Sequence, residues 1–397
     1  MVKTTALRDK FIQLKTEMNG IILERNEEVN GLMLALLSRK HVFIVGPAGT
    51  SKSLMMRLLA NQIDGAVYWE HQFSKYTEPD HVFGPPSVKA LQEDSWRRVT
   101  KGRLPECHIG LADEIFKGNK SIRDAMLKIM NERMFDNDGA PQKCPLEVLM
   151  AASNEISSDE NDQAFYDRFL MRYKVGYLSE DSHFMAMLKG PKKLEEFAKR
   201  LTVRLTLGEI HAAQVEASLV NMPDAVLEGM TQIRRMLTGQ GIQGSDRRYN
   251  ESIEVVKAKA WLQGRSEALV DDLGVLCHML WIDPQHKALV QGAVLSVANP
   301  LLKKAEEQHD AMQIAMANLA KLPTDTPADK KSRASEATFT LSKINDALKT
   351  LLDIFAQGEK AAMDMSAVQH YIAVGRTMQE RIVKDELGLT REYLGLK

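Results

Sequence analysis

Cysteine is scarce: Cys107, Cys144 and Cys277 are the only three in 397 residues, and no two stand in CxxC spacing. A disulfide framework or a cysteine-based zinc site is therefore excluded as the organising feature. Long apolar runs are missing as well. No stretch of 18 apolar residues occurs, and the charged start MVKTTALRDKF has no apolar core of signal-peptide length. The expectation is a cytoplasmic chain without membrane insertion. Charge of one sign is also lacking, since 52 Lys and Arg against 53 Asp and Glu leave a net −1. No global field draws the chain to nucleic acid or to a lipid surface. Internal repeats and low-complexity tracts are absent too.

What is present fills two or three domains. Residues 1–40 carry apolar side chains at helical spacing (Met18, Ile21, Ile22, Val29, Leu32, Leu37). From 41 to about 180, short apolar runs at 41–45, 66–73, 107–112, 147–152 and 172–177 alternate with helical patterns, which predicts a parallel sheet with helices on both faces. Between about 190 and 290 the pattern is helical with no convincing strand. The last hundred residues change style. Two stripes of 3-4 spacing, from Leu301 to Leu322 and from Ala337 to Phe355, flank PTDTPADKKSRAS, which reads as a loop. They predict an antiparallel helical hairpin of two helices of about 20 residues, with a third helix near 365–386.

The chemistry concentrates in a few short motifs. GPAGTSKS, residues 46–53, follows the first apolar run and precedes a helical LMMRLLANQI. A phosphate-binding loop needs inward backbone N–H groups, a helix N-terminus, a lysine for the β- and γ-phosphates and a hydroxyl for magnesium. Gly46 and Gly49 permit the turn through Pro47, Ala48 and Thr50; Lys52 and Ser53 supply the charge and the hydroxyl; Leu54 opens the helix. Ser51 replaces the usual glycine before the lysine, and is expected to sit in ordinary helical conformation at little cost. HIGLADE, 108–114, ends an apolar strand in two acids. Asp113 suits the magnesium and Glu114 the attacking water. The strand candidate at 147–152 leads to Asn154, whose amide can position that water. In AFYDRFLMRY, 164–173, Arg168 is expected to reach the nucleotide of a neighbouring subunit. GSDRRY, 244–249, opens a helix under a serine or aspartate cap, and Arg247 or Arg248 is expected to point back across the nucleotide.

Taken in order, GPAGTSKSL, FSKYTEPDHVFGPPSVKAL, GRLPECHIGLADEIFKG, IMNERMFDND, LMAASNE, AFYDRFLMR and GSDRRY resemble the AAA+ ATPase family. The likeness is to its MoxR branch, and within it to regulatory ATPases of the RavA type. It covers about residues 10–290. It implies an α/β fold: an AAA+ αβα core with a parallel sheet (1–190), an all-α lid (191–295) and, beyond the likeness, a C-terminal helical-hairpin domain (296–397). It implies ATP and Mg2+ as ligands, a Walker A motif through Lys52 and Ser53, and a Walker B motif at Asp113 and Glu114. It further implies sensor 1 at Asn154, an arginine finger at Arg168 and sensor 2 at Arg247, with Arg248 the alternative. By the same likeness Ile21 and Ile22 lie beside the adenine. Residues 85–105 resemble the hairpin insertion in helix 2 and 135–145 the sensor-1 hairpin, which makes Trp96, Arg97 and Arg98 candidate substrate contacts. Asp138-Gly139 independently reads as a hairpin turn. The implied activity is ATP hydrolysis in a homo-oligomeric ring, taken as a hexamer, that remodels, assembles or activates a protein complex. The implied partner is a protein client, such as one with a von Willebrand A domain. A nucleic-acid-associated motor or loader is the family's other class, but no dedicated DNA-binding motif accompanies it here.

Overall fold

The protein is described by a computed structural model over residues 2–156, 159, 162–323, 326–360, 363 and 365–389. The chain forms two compact units, Met1–Val290 and Gln291–Lys397.

In the first unit the strands run, in chain order, β1 (Val42–Val45), β2 (Ile63–Asp64), β3 (Tyr68–Gln72), β4 (Ile109–Asp113), β5 (Met134–Asn137), β6 (Ala140–Lys143), β7 (Val148–Ser153), β8 (Met171–Lys174) and β9 (Leu205–Thr206). Five of them make a sheet of order β3-β4-β7-β1-β8, parallel throughout. The sequences VFIV and VLMAAS are buried at every position because both sheet faces are covered, so their strands read as continuous apolar runs. Alternation still sorts the faces. Phe43 and Val45 join Leu149, Ala151, Ile122, Met126, Phe165 and Phe169 in one core cluster. Ile44, paired in register with Ala152 and Tyr173, faces the other way. On that side helix Asn26–Ser38 comes so close that a Cβ on Gly31 would overlap the Tyr173 hydroxyl.

Four expectations are corrected. The helical reading of 1–40 breaks into Val2–Asn19 and Asn26–Ser38, because the chain turns at 20–25, where Glu24 takes a left-handed φ of 56°. The stretch read as strandless contains β9, a two-residue strand paired in parallel with β2, too short for any alternation to register. Residues 85–105 are not a plain β-hairpin: Pro86 bridges Arg98, but helix Val88–Gln92 lies between them, capped by Ser87. In the second unit the expected loop PTDTPADKKSRAS is mostly helix. Thr326 Oγ1 accepts from Asp329 N–H while the Asp329 carboxylate accepts from Thr326 N–H, a reciprocal cap that starts helix Pro327–Lys360 with proline in the first turn. Such a cap stabilises a helix by about 1 kcal/mol. The helix is 34 residues long rather than about 20.

The remainder of the second unit follows the apolar stripes. Ala305, Met312 and Leu319 of helix Pro300–Ala320 bury against Leu341, Ile344, Leu348 and Leu351, and against Val368 and Ile372 of helix Ser366–Arg381. Arg333 closes one end by pairing with Glu386 at 2.6 Å and donating to the Leu322 carbonyl at 2.7 Å.

Candidate nucleotide-binding site

β1 delivers the chain to the phosphate loop. Gly46 N–H donates to the Ser153 carbonyl at 3.1 Å, and Val175 N–H to the Val45 carbonyl at 2.9 Å, so the loop leaves the sheet between β7 and β8. A side chain at Gly46 would overlap the Val175 carbonyl, which leaves glycine as the residue that fits. Thr50 Oγ1 donates to the Pro47 carbonyl at 2.9 Å. Lys52 Nζ, on the first turn of helix Lys52–Asn61, donates to the carbonyls of Gly46 at 2.5 Å and Pro47 at 3.1 Å.

Ser51 departs from expectation. Its φ and ψ are 65° and 16°, in the left-handed region rather than the helical one. There a Cβ crowds the following carbonyl at a cost of about 1–2 kcal/mol, which is the physical reason glycine suits this position. Ser51→Gly is expected to relieve that strain, partly offset by the ~0.5–1 kcal/mol of added glycine entropy. The denaturation midpoint of the first unit should therefore rise slightly, with ATP affinity within about threefold of wild type since the bound loop keeps its shape. A lowered midpoint would show that the left-handed turn is not held in solution.

β4 lies between β3 and β7, with Asp113 in register with Ala152. The Asp113 carboxylate accepts from Glu114 N–H at 3.1 Å. Glu114 is buried, has a φ of 53°, and pairs with Lys117 at 3.4 Å. Burial, then the neighbouring Glu114 charge, push the Asp113 carboxyl above its usual range, while Lys52 pulls the other way. Burial lowers the Lys52 ammonium, opposed by Asp113 and Glu114. Lysine and both acids therefore share one electrostatic cluster at the carboxyl edge of the sheet. Asn154 stands exposed one residue beyond Ser153, the residue bonded to Gly46.

No group of three or more His, Cys, Asp or Glu suited to a metal occurs among the described residues. Magnesium does not require one, because it usually takes one or two protein oxygens alongside substrate phosphates and water. The hard oxygens of Ser53 and Asp113 meet that need.

A cavity of about 390 Å³ adjoins the loop. Ile21 and Ile22 line it, together with Gly49, Thr50, Ser51 and Leu54. Tyr177, Phe184, Met187 and Phe197 are among the further lining residues, and sequence reasoning missed them. The available signal was helix Asp181–Lys189, whose apolar residues have no core to join: none of its residues is buried. Arg25 was missed as well. It is buried and donates to the Thr50 carbonyl at 3.4 Å.

The arginines assemble elsewhere. β8 begins at Met171, whose N–H donates to the His41 carbonyl just before β1, and ends at Lys174 beside Val45. Arg168 therefore lies at the amino edge of the sheet, a strand length of roughly 13 Å from the loop. Arg247 and Arg248 join it there instead of pointing back across the loop, which corrects the expectation for sensor 2. The cause is Asp167. Arg248 is buried; its Nη2 donates to Asp167 Oδ1 at 2.8 Å and its Nη1 to the carbonyls of Leu170 at 2.9 Å and Met279 at 2.7 Å. Arg247 is half-exposed, bonded to Asp167 Oδ2 at 3.3 Å and to Glu251 at 3.3 Å. Ser245 caps their helix, accepting from Arg248 N–H at 3.2 Å. Arg168 has no side-chain ion pair among the described residues, and its buried Nε lacks a hydrogen-bond partner among them.

The structure also joins the 85–105 segment to the β5–β6 hairpin. β5 and β6 pair antiparallel around Asp138 and Gly139, with φ of 61° and 69°, as a primed turn requires. Trp96 N–H donates to Asp138 Oδ1 at 2.9 Å, and Arg98 N–H to Asn137 Oδ1 at 2.8 Å. Trp96 and Arg97 stay exposed. Arg98 does not fit the substrate-contact role, because its guanidinium is bonded to Asp80 at 2.5 Å and to the Gly84 carbonyl at 2.6 Å. No helix among the described residues is long and apolar enough to cross a membrane.

Comparison with known proteins agrees with this geometry. Residues 9–215 match the family model described as the MoxR domain in the MoxR-vWA-beta-propeller ternary systems, and residues 225–294 match an AAA lid domain. An uncharacterised protein of Methanocaldococcus jannaschii is 32% identical over 86% of this chain and 90% of its own length. Chaperone MoxR1 of Mycobacterium tuberculosis is 28% identical over 42% of this chain and 44% of its own. A crystal structure of a putative ATPase from Cytophaga hutchinsonii superposes with a TM-score of 0.60 at 17% identity, covering 75% of this chain and 96% of that one, which speaks to the fold. A RavA-type assignment is finer than these matches carry.

Proposed function

The chain belongs to the MoxR branch of the AAA+ ATPases, and from that premise we propose a magnesium-dependent ATPase that works as a hexameric ring in the cytoplasm. Its turnover remodels, assembles or activates a protein complex. The observation that carries the reading is the shared charge cluster of Lys52, Asp113 and Glu114 beside Asn154 and the phosphate loop. Lys52 and the N–H groups of residues 46–53 hold the β- and γ-phosphates. Ser53 and Asp113 would hold magnesium, which neutralises charge between those phosphates when bound. Glu114 accepts a proton from the attacking water, and Asn154 orients that water. Arg168 offsets the developing charge on a neighbouring subunit's nucleotide. The partner in this reading is a von Willebrand A protein, supported by the description of the matching family. The exposed Trp96 and Arg97 meet the client.

Glu114→Gln tests the assignment. General-base removal costs about 100- to 10,000-fold, so hydrolysis should fall in that range while ATP binding persists, and a client should co-purify in an ATP-dependent way. Hydrolysis within a few fold of wild type would remove Glu114 from its role.

A further inference from the structure

Glu24 and Arg25 sit at the turn between the first two helices, in none of the nucleotide motifs, yet together they touch three parts of the site. Glu24 is a non-glycine residue in left-handed conformation, with φ of 56°. One carboxylate oxygen accepts from Ser179 N–H at 2.8 Å and Ser179 Oγ at 2.9 Å; the other accepts from Glu180 N–H at 3.0 Å and His183 Nδ1 at 3.0 Å. That grip closes on the start of helix Asp181–Lys189, whose Phe184 and Met187 line the cavity beside the loop. Arg25 next door donates to the Thr50 carbonyl at 3.4 Å, inside the phosphate loop, and to the Gly176 carbonyl beyond β8. The grasped helix has almost nothing else to hold it. None of its residues is buried, and Phe184, Met185, Met187 and Leu188 are 48%, 49%, 43% and 50% exposed.

We propose that Glu24 is a positioning residue that clasps helix Asp181–Lys189 over the base of the bound nucleotide, while Arg25 ties the same turn to the phosphate loop. The inference rests on the nucleotide reading of this site and adds the element that covers the base. From its left-handed turn the Glu24 carboxylate meets four donors, three in the two residues that lead into the helix and His183 on its first turn. Burial opposes ionisation of Glu24, but the Ser179 and Glu180 N–H groups, His183 and the Ser179 hydroxyl outweigh it and hold the carboxyl at about 2. The clasp thus stays charged through the neutral range.

The clasp acts on the base side, so its loss should separate two ligands. Magnesium ATP needs loop and cover; magnesium tripolyphosphate, which has no base, needs only the loop. Glu24→Gly keeps the left-handed turn without strain and removes the carboxylate. It should weaken ATP binding about tenfold, the scale of losing charged hydrogen bonds, with tripolyphosphate affinity and kcat at saturating ATP within about twofold of wild type. A second variant, Ser179→Ala with His183→Ala, removes donors from the other side and should give the same split. Equal losses for both ligands, or no loss for ATP, would overturn the clasp. Failure of the wild-type protein to bind ATP would instead bring down the nucleotide reading itself.

Discussion

Lys52→Ala is expected to remove measurable ATP binding and all hydrolysis. The Lys52 ammonium is buried at the loop, bonded to the Gly46 and Pro47 carbonyls and flanked by Asp113 and Glu114. Removing it leaves two carboxylates beside the place where a triphosphate must settle. At an effective dielectric near 20, a unit charge pair about 4 Å apart interacts by about 4 kcal/mol, so affinity should drop by roughly a hundredfold to a thousandfold. Lys52 also pulls the Asp113 carboxyl down against burial and Glu114, so its loss moves that carboxyl further up. Titration calorimetry with magnesium ATP checks the outcome, and wild-type-like affinity would overturn the phosphate-loop assignment. The fold should survive, because nothing in the apolar cluster around Phe43, Leu149 and Phe165 depends on this ammonium.

Features with a periodic or compositional cause could be read from the sequence. Central parallel strands such as VFIV and VLMAAS are buried at every position and almost wholly apolar, and the candidate site residues stand where the strands end: Gly46 onward, Asp113 and Glu114, Asn154. The turn at Asp138-Gly139 was legible because two consecutive positive φ values demand those residues. Less legible were features that depend on backbone torsion or on partners far away in sequence. Nothing local marks Glu24 as left-handed, and at Ser51 the signal was only the glycine that such a loop usually carries there. The gathering of Arg247 and Arg248 by Asp167 spans about 80 residues of sequence, and so does not follow from the motif GSDRRY alone. The Thr326–Asp329 cap was legible in principle. Its proline-rich surroundings favoured a loop reading, and the reciprocal hydrogen bonds decide otherwise.

Arg168→Ala is expected to leave ATP binding intact and to reduce hydrolysis by about a thousandfold or more, the scale of an arginine finger supplied in trans. Two observations motivate the trans role. The side chain lies at the amino edge of the sheet, roughly 13 Å of strand from Lys52, beyond an arginine's reach to its own loop. The competing local role, pairing with Asp167, is taken by Arg247 and Arg248, whose guanidiniums hold that carboxylate at 3.3 and 2.8 Å. Arg168 is thus left without that local carboxylate. In the proposed ring each subunit would contribute its loop to one interface and Arg168 to the next. Mixing Arg168→Ala with Lys52→Ala subunits creates interfaces in which an intact Lys52 faces an intact Arg168, so hydrolysis should reappear in the mixture although each variant alone is inactive. Mass measurement on differently tagged subunits must confirm that mixed rings form. If they form and the mixture stays as inactive as its parts, Arg168 does not complete a neighbour's site.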